Sequence, residues 1–123
     1  MSGEAGYHGH IAVTIGNGTS LSAAVPLAQY QIPRGIMMPA AWDAANLTFQ
    51  ASHDGVTFQE LYDGQNNVVQ VAAAQQRCIG FEAGVAGAVM RAPLAIKIRS
   101  GTSGVPVNQT DDRVLYLIVR ERP

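Results

Sequence analysis

The 123-residue chain is long enough for one domain with its own core, and 47% hydrophobic against 14% charged residues excludes a disordered chain. A net charge of −1 leaves no global field to recruit nucleic acid or an anionic membrane. Cys78 is the only cysteine, which excludes an internal disulfide framework and a cysteine-based zinc cluster.

Residues 1–9 read as a short Gly-rich arm, with Tyr7 and His8 able to pin it to a neighbour, and residues 10–123 as a single domain. Residues 1–6 have neither the basic flank nor the apolar core of a signal peptide, so a reducing cytosol is the expected place of maturation. His8 and His10 stand at i and i+2, one face of a strand, where two imidazoles can share a metal. No spacing points to a third ligand, and neither a metal nor a cofactor is expected.

Ile11, Val13 and Ile15 alternate with polar or small residues, Gly16-Asn17-Gly18 turns, and Leu21, Ala23 and Val25 alternate back. That pattern predicts a hairpin closed by Pro26. Residues 29–32 read as extended, Pro33 requires an edge position or a bulge, and the strand resumes through Ile36. Residues 39–45 are the one place predicted as helix, a turn or two, with Trp42 capping one end of the fold.

The strongest local signal is residues 47–61. Leu47, Phe49 and Ala51 share one face, Thr48, Gln50 and Ser52 the other, and Val56 and Phe58 continue the apolar face beyond Asp54-Gly55. No stretch elsewhere is long enough to be a covering helix, so a second sheet must cover that face. Residues 68–72 and 78–81 read as weaker strands, with Cys78 as a small buried residue. Residues 84–89 read as a loop. In residues 94–99, Leu94, Ile96 and Ile98 are expected inward and Lys97 and Arg99 outward. Residues 105–112 form a polar crossover, and residues 114–119 are apolar on both faces, as in a central strand or one covered by another chain. The expected fold is all-β, a jelly-roll-like antiparallel β-sandwich of eight or nine short strands.

Enzyme signatures are missing. Residues 99–104 are Gly/Ser-rich after a strand but lack the Lys-Ser/Thr pair of a phosphate loop, and no Ser sits on a nucleophile elbow. Asp111 and Asp112 near Asn108 lack any calcium-loop spacing. No catalytic residue is assigned.

Two resemblances rest on quoted residues. The hairpin ending in Ser52-His53-Asp54-Gly55 and returning through Phe58 resembles that of galactose-binding-like (discoidin-type) jelly-rolls, and residues 94–99 resemble a later strand of that family. This implies a carbohydrate-binding alternative, on a tail or spike, using loops around Trp42, His53 and Asp54. Residues 21–27, 36–52, 62–63 and 98–109 resemble small accessory proteins encoded in tailed-bacteriophage genomes. That resemblance implies a virion protein assembled in the host cytoplasm, a capsid decoration or cement protein, or else a neck or tail connector. Its partners would be the major capsid protein or other virion proteins, with further copies of itself on the particle and no nucleic acid or membrane. Tyr7, His8, His10 and Tyr116 are the expected partner-binding residues.

Overall fold

The computed structural model describes residues 8–27, 31–81 and 94–121. Tyr7, Tyr30 and the loop expected at residues 84–89 lie outside them. The described residues hold nine strands and no helix: β1 (His8–Ile15), β2 (Val25–Pro26), β3 (Gln31–Met37), β4 (Leu47–Ser52), β5 (Gln59–Glu60), β6 (Gln70–Val71), β7 (Cys78–Gly80), β8 (Ala95–Ser100) and β9 (Arg113–Glu121). They form two antiparallel sheets, an all-β sandwich. Sheet I has the order β1-β9-β3-β7; sheet II has β2-β8-β4-β5, with β6 also paired to β4. β1 begins at His8, so the last two residues of the expected arm are already strand.

Period-two alternation builds the core. Val13, Ile15, Ile36, Leu115, Leu117 and Val119 of sheet I face Leu47, Phe49, Ile96 and Ile98 of sheet II, all essentially sealed from solvent. Phe49 meets Phe81 edge to face at 6.4 Å. β9 is central in its sheet, one of the two positions its apolar faces allowed, and pairs with all eight residues of β1.

The predicted hairpin of residues 11–25 does not form. The Gly16–Ser20 turn exists, with Thr19 N–H donating to Gly16 O at 3.0 Å, but the chain then changes sheets. Leu21 bridges to Arg99, and Val25–Pro26 pairs with β8. β9 offers β1 eight residues in unbroken register, which a short return strand ending in Pro26 cannot match. The turn is instead a corner, stitched to the 101–112 crossover by Gly18 N–H to Gln109 O (2.7 Å) and Gln109 N–H to Thr19 O (2.9 Å).

Residues 39–45 are irregular, not helical. Their polar groups find tertiary partners: Asp43 N–H donates to Gln109 Oε1 (2.9 Å), Gln109 Nε2 donates back to Asp43 O (3.1 Å), and Trp42 Nε1 donates to Ala45 O (3.0 Å). A helix this short cannot nucleate against such competitors. Pro33 produces the expected bulge, with Arg34 the extra residue of the β3–β9 register.

β4 and β5 pair as expected, but β5 is two residues long and six residues connect it to β4. Val56 is 82% exposed, and Phe58 lies half-buried under Lys97 Nζ, 4.5 Å from its ring centroid, so neither extends the core face. Asp54 decides this. Its Oδ1 accepts from Val56 N–H (2.8 Å) and Thr57 N–H (2.9 Å) and from Ser52 Oγ (2.8 Å), while Gly55 takes φ of 81°. The chain is curled around one carboxylate before it can pair.

Two further expectations, at Leu94 and Cys78, are corrected. Leu94, before β8, is exposed, not inward; Arg99 does lie on the outer face of sheet II, as expected, but is buried there. Its guanidinium spans Glu60, with Nη1 at 2.6 Å from Oε1, and also donates to Thr48 Oγ1 at 3.2 Å. Cys78 is exposed because Ile79, in register with the buried Ile36, takes the inward position.

Candidate docking surface

The outward face of sheet I carries the side chains that the core does not use. Along β9, Leu115, Leu117 and Val119 point inward, so Val114, Tyr116, Ile118 and Arg120 point outward. Register then places the neighbours. Ala12, Tyr116, Met37 and Cys78 form one row across the sheet; His10, Ile118, Gly35 and Gly80 form the next. Val114, Tyr116 and Met37 are each about two-fifths exposed.

His10 and Tyr116 meet edge to face, ring centroids 5.0 Å apart at 87°. With Gly9, Met37 and Ile118 they line an open depression of about 580 Å³. Beyond Ile118 the row ends in two glycines, Gly35 and Gly80. Gly35 is required there, since a Cβ would stand 2.5 Å from Ile79 O. Tyrosine, methionine and arginine are the residue types enriched in interface cores, and Tyr116, Met37 and Arg120 supply all three on this face.

Of the expected partner-binding residues, the structure brings His10 and Tyr116 together and sets His8 on the same strand; Tyr7 lies outside the described residues. Met37 and Cys78 were missed by sequence reasoning, although alternation about Ile36 and Ile79 is the signal that places both outward. Among the described residues no group of three His, Cys, Asp or Glu side chains is arranged to hold a metal.

The residues of the carbohydrate alternative are not brought together. Trp42 precedes β4 and is buried in the core cluster with its Nε1 bonded to Ala45 O. His53 and Asp54 follow the six-residue β4, about 20 Å further along at the usual rise per residue. Asp54 is held at about 2, chiefly by the Thr57 and Val56 N–H groups and then by the Ser52 hydroxyl.

The end of the sandwich near Trp42 is held by a polar network. Gln109 is fully buried, with Nε2 donating to Ser100 Oγ (2.8 Å) and Oε1 accepting from Arg113 Nε (3.1 Å). Arg113 Nη2 also reaches Asp43 Oδ1 at 3.0 Å. Asp112 Oδ1 accepts Asn17 N–H at 2.8 Å, which gives the acidic pair near Asn108 a bracing role. Comparison with protein-family models, curated proteins and solved structures finds no match for the chain.

Proposed function

We propose that this chain is a structural component of a tailed-bacteriophage particle, a decoration or cement protein that binds the head surface non-covalently through the outward face of sheet I. The observation that carries the reading is the position of Tyr116, Met37, Val114 and Ile118. They stand outside a core that is already complete without them. Apolar area in contact with water gains about 25 cal/mol per Å² when a partner covers it. The choice of particle rests on the resemblance read in residues 21–27, 36–52, 62–63 and 98–109 to phage accessory proteins, a resemblance of sequence alone. The partner is the major capsid protein or another virion protein, and repetition over many copies turns a modest contact into firm attachment.

The same reading takes the sandwich as a jelly-roll. What supports this is the strand order, β1-β9-β3-β7 over β2-β8-β4-β5, in which successive strands alternate between sheets except along β4, β5 and β6.

The test is an add-back experiment on purified heads lacking this protein, with bound copies counted against the coat protein by gel densitometry. Saturation at numbers on the scale of the coat protein is expected, and Tyr116→Ser weakens binding about tenfold or more. A few copies per particle would point to a neck connector, and no binding would end the proposal.

A further inference from the structure

We infer that β1 is a self-pairing edge: two copies of this chain join antiparallel along His8–Ile15, about a two-fold axis, and make one continuous sheet from their two copies of sheet I. This goes beyond attachment to a particle and does not depend on it. Among the described residues β1 pairs with β9 alone, so about half of its backbone N–H and C=O groups face away from the sheet.

Proteins blunt such edges with short strands, prolines, bulges or charges. The other edges among the described residues are blunted: β7 has three residues, β5 and β6 have two each, and β2 has two and includes Pro26. β1 has eight residues, with no proline, no Asp, Glu, Lys or Arg, and no break in register from His8 opposite Arg120 to Ile15 opposite Arg113. Nothing on it turns a second strand away.

The best-fitting second strand is its own copy. A two-fold axis perpendicular to the sheet sets outward face beside outward face, so the apolar rows through Tyr116 and Ile118 run on across the junction. No charge on β1 meets its like. Ile11, which packs against the core from the edge strand yet stays partly exposed, is covered by the partner. Pairing of like edges about a two-fold also closes: it uses up the one long unblunted edge among the described residues of each copy and leaves a dimer, not a fibre.

Ala12 is at the middle of β1 with its side chain outward and exposed, and so falls at or next to the axis. Light scattering on the purified full chain should give a mass of twice 13.0 kDa that falls toward 13.0 kDa on dilution. Ala12→Lys sets two like charges together and should raise the dimer dissociation constant about tenfold, while the uncharged Ala12→Thr leaves it near wild type. A single cooperative unfolding transition, compared at a dilution where the wild type is itself monomeric, checks that both variants fold. If Ala12→Lys does not, Thr14→Lys, exposed on the same strand and further from its centre, should weaken the dimer to a smaller extent. Hydrogen exchange of the β1 amides should slow as concentration rises. A monomer at every concentration, or a dimer indifferent to both lysine variants, would overturn the inference. No phage head enters the assay, so its outcome is separate from that of the add-back experiment.

Discussion

Arg99 and Glu60 form an ion pair whose partners are unequally buried, with side chains 7% and 28% exposed respectively. That inequality sets the order of two substitutions. Glu60→Ala leaves a guanidinium with almost no access to water and Thr48 Oγ1 as its remaining partner, at a cost of about 3–5 kcal/mol. Arg99→Met fills much of the aliphatic volume and leaves a carboxylate that can turn to solvent while keeping its bond from Gln50 Nε2 at 3.1 Å. Its cost is about 1–2 kcal/mol. Urea unfolding measures both, and the double variant should recover part of the Glu60→Ala loss because no charge is then stranded. Equal costs, or Arg99→Met as the worse of the two, would refute the claim that burial of the guanidinium governs. The pair also has a pH signature. The hydrogen bonds from Arg99 hold Glu60 below its ordinary 4.5, so its stabilisation is complete above that pH and is lost as pH falls below it. The gap between wild type and Arg99→Met should therefore narrow in acid.

Gly35→Ala places a Cβ against Ile79 O and should cost about 1–3 kcal/mol by thermal unfolding, with faster amide exchange confined to β3 and β7. An unchanged melting temperature would mean that β7 is free to move aside. Asp54 should titrate at about 2 in a carboxyl-carbon NMR titration, against an ordinary 3.8, and Ser52→Ala should raise it. Since the folded value is depressed, the contribution of Asp54 is whole above 3.8 and lost between there and about 2. Asp54→Asn should flatten that part of the acid-unfolding curve; an unaltered curve would remove Asp54 from the account of the loop.

Face assignments were legible wherever alternation ran unbroken. Leu47, Phe49, Ile96 and Ile98 could be placed from their own stretches, because side-chain direction repeats every two residues whatever the neighbouring strand, whereas β9, apolar on both faces, did not show which face turns inward. Burial of a polar residue was not legible in the same way. Arg99 alternates as a solvated residue should, and is buried because Glu60, 39 positions away, lies beside it. Cys78 sits on a three-residue strand where alternation about Ile79 is a weak signal, and its register against Met37 is what establishes that it points outward. The docking surface was half readable: Tyr116 and His10 stood out as residues without a core position, while their contact and the nearness of Met37 depend on β1 and β3 flanking β9.

From the sequence alone came the all-β class, the need for two facing sheets, the pairing across Asp54-Gly55 and, at Pro33, the choice between an edge position and a bulge. Each follows from the conformational limits of a few adjacent residues. Pairing partners were decided only in three dimensions. β1 left its expected hairpin for β9, a strand about a hundred residues further on, because buried register length outweighs proximity along the chain once the rest of the sheet is present. With residues 21–26 in the other sheet, β9 is the one neighbour of β1 among the described residues, and the far side of β1 is left as an open edge.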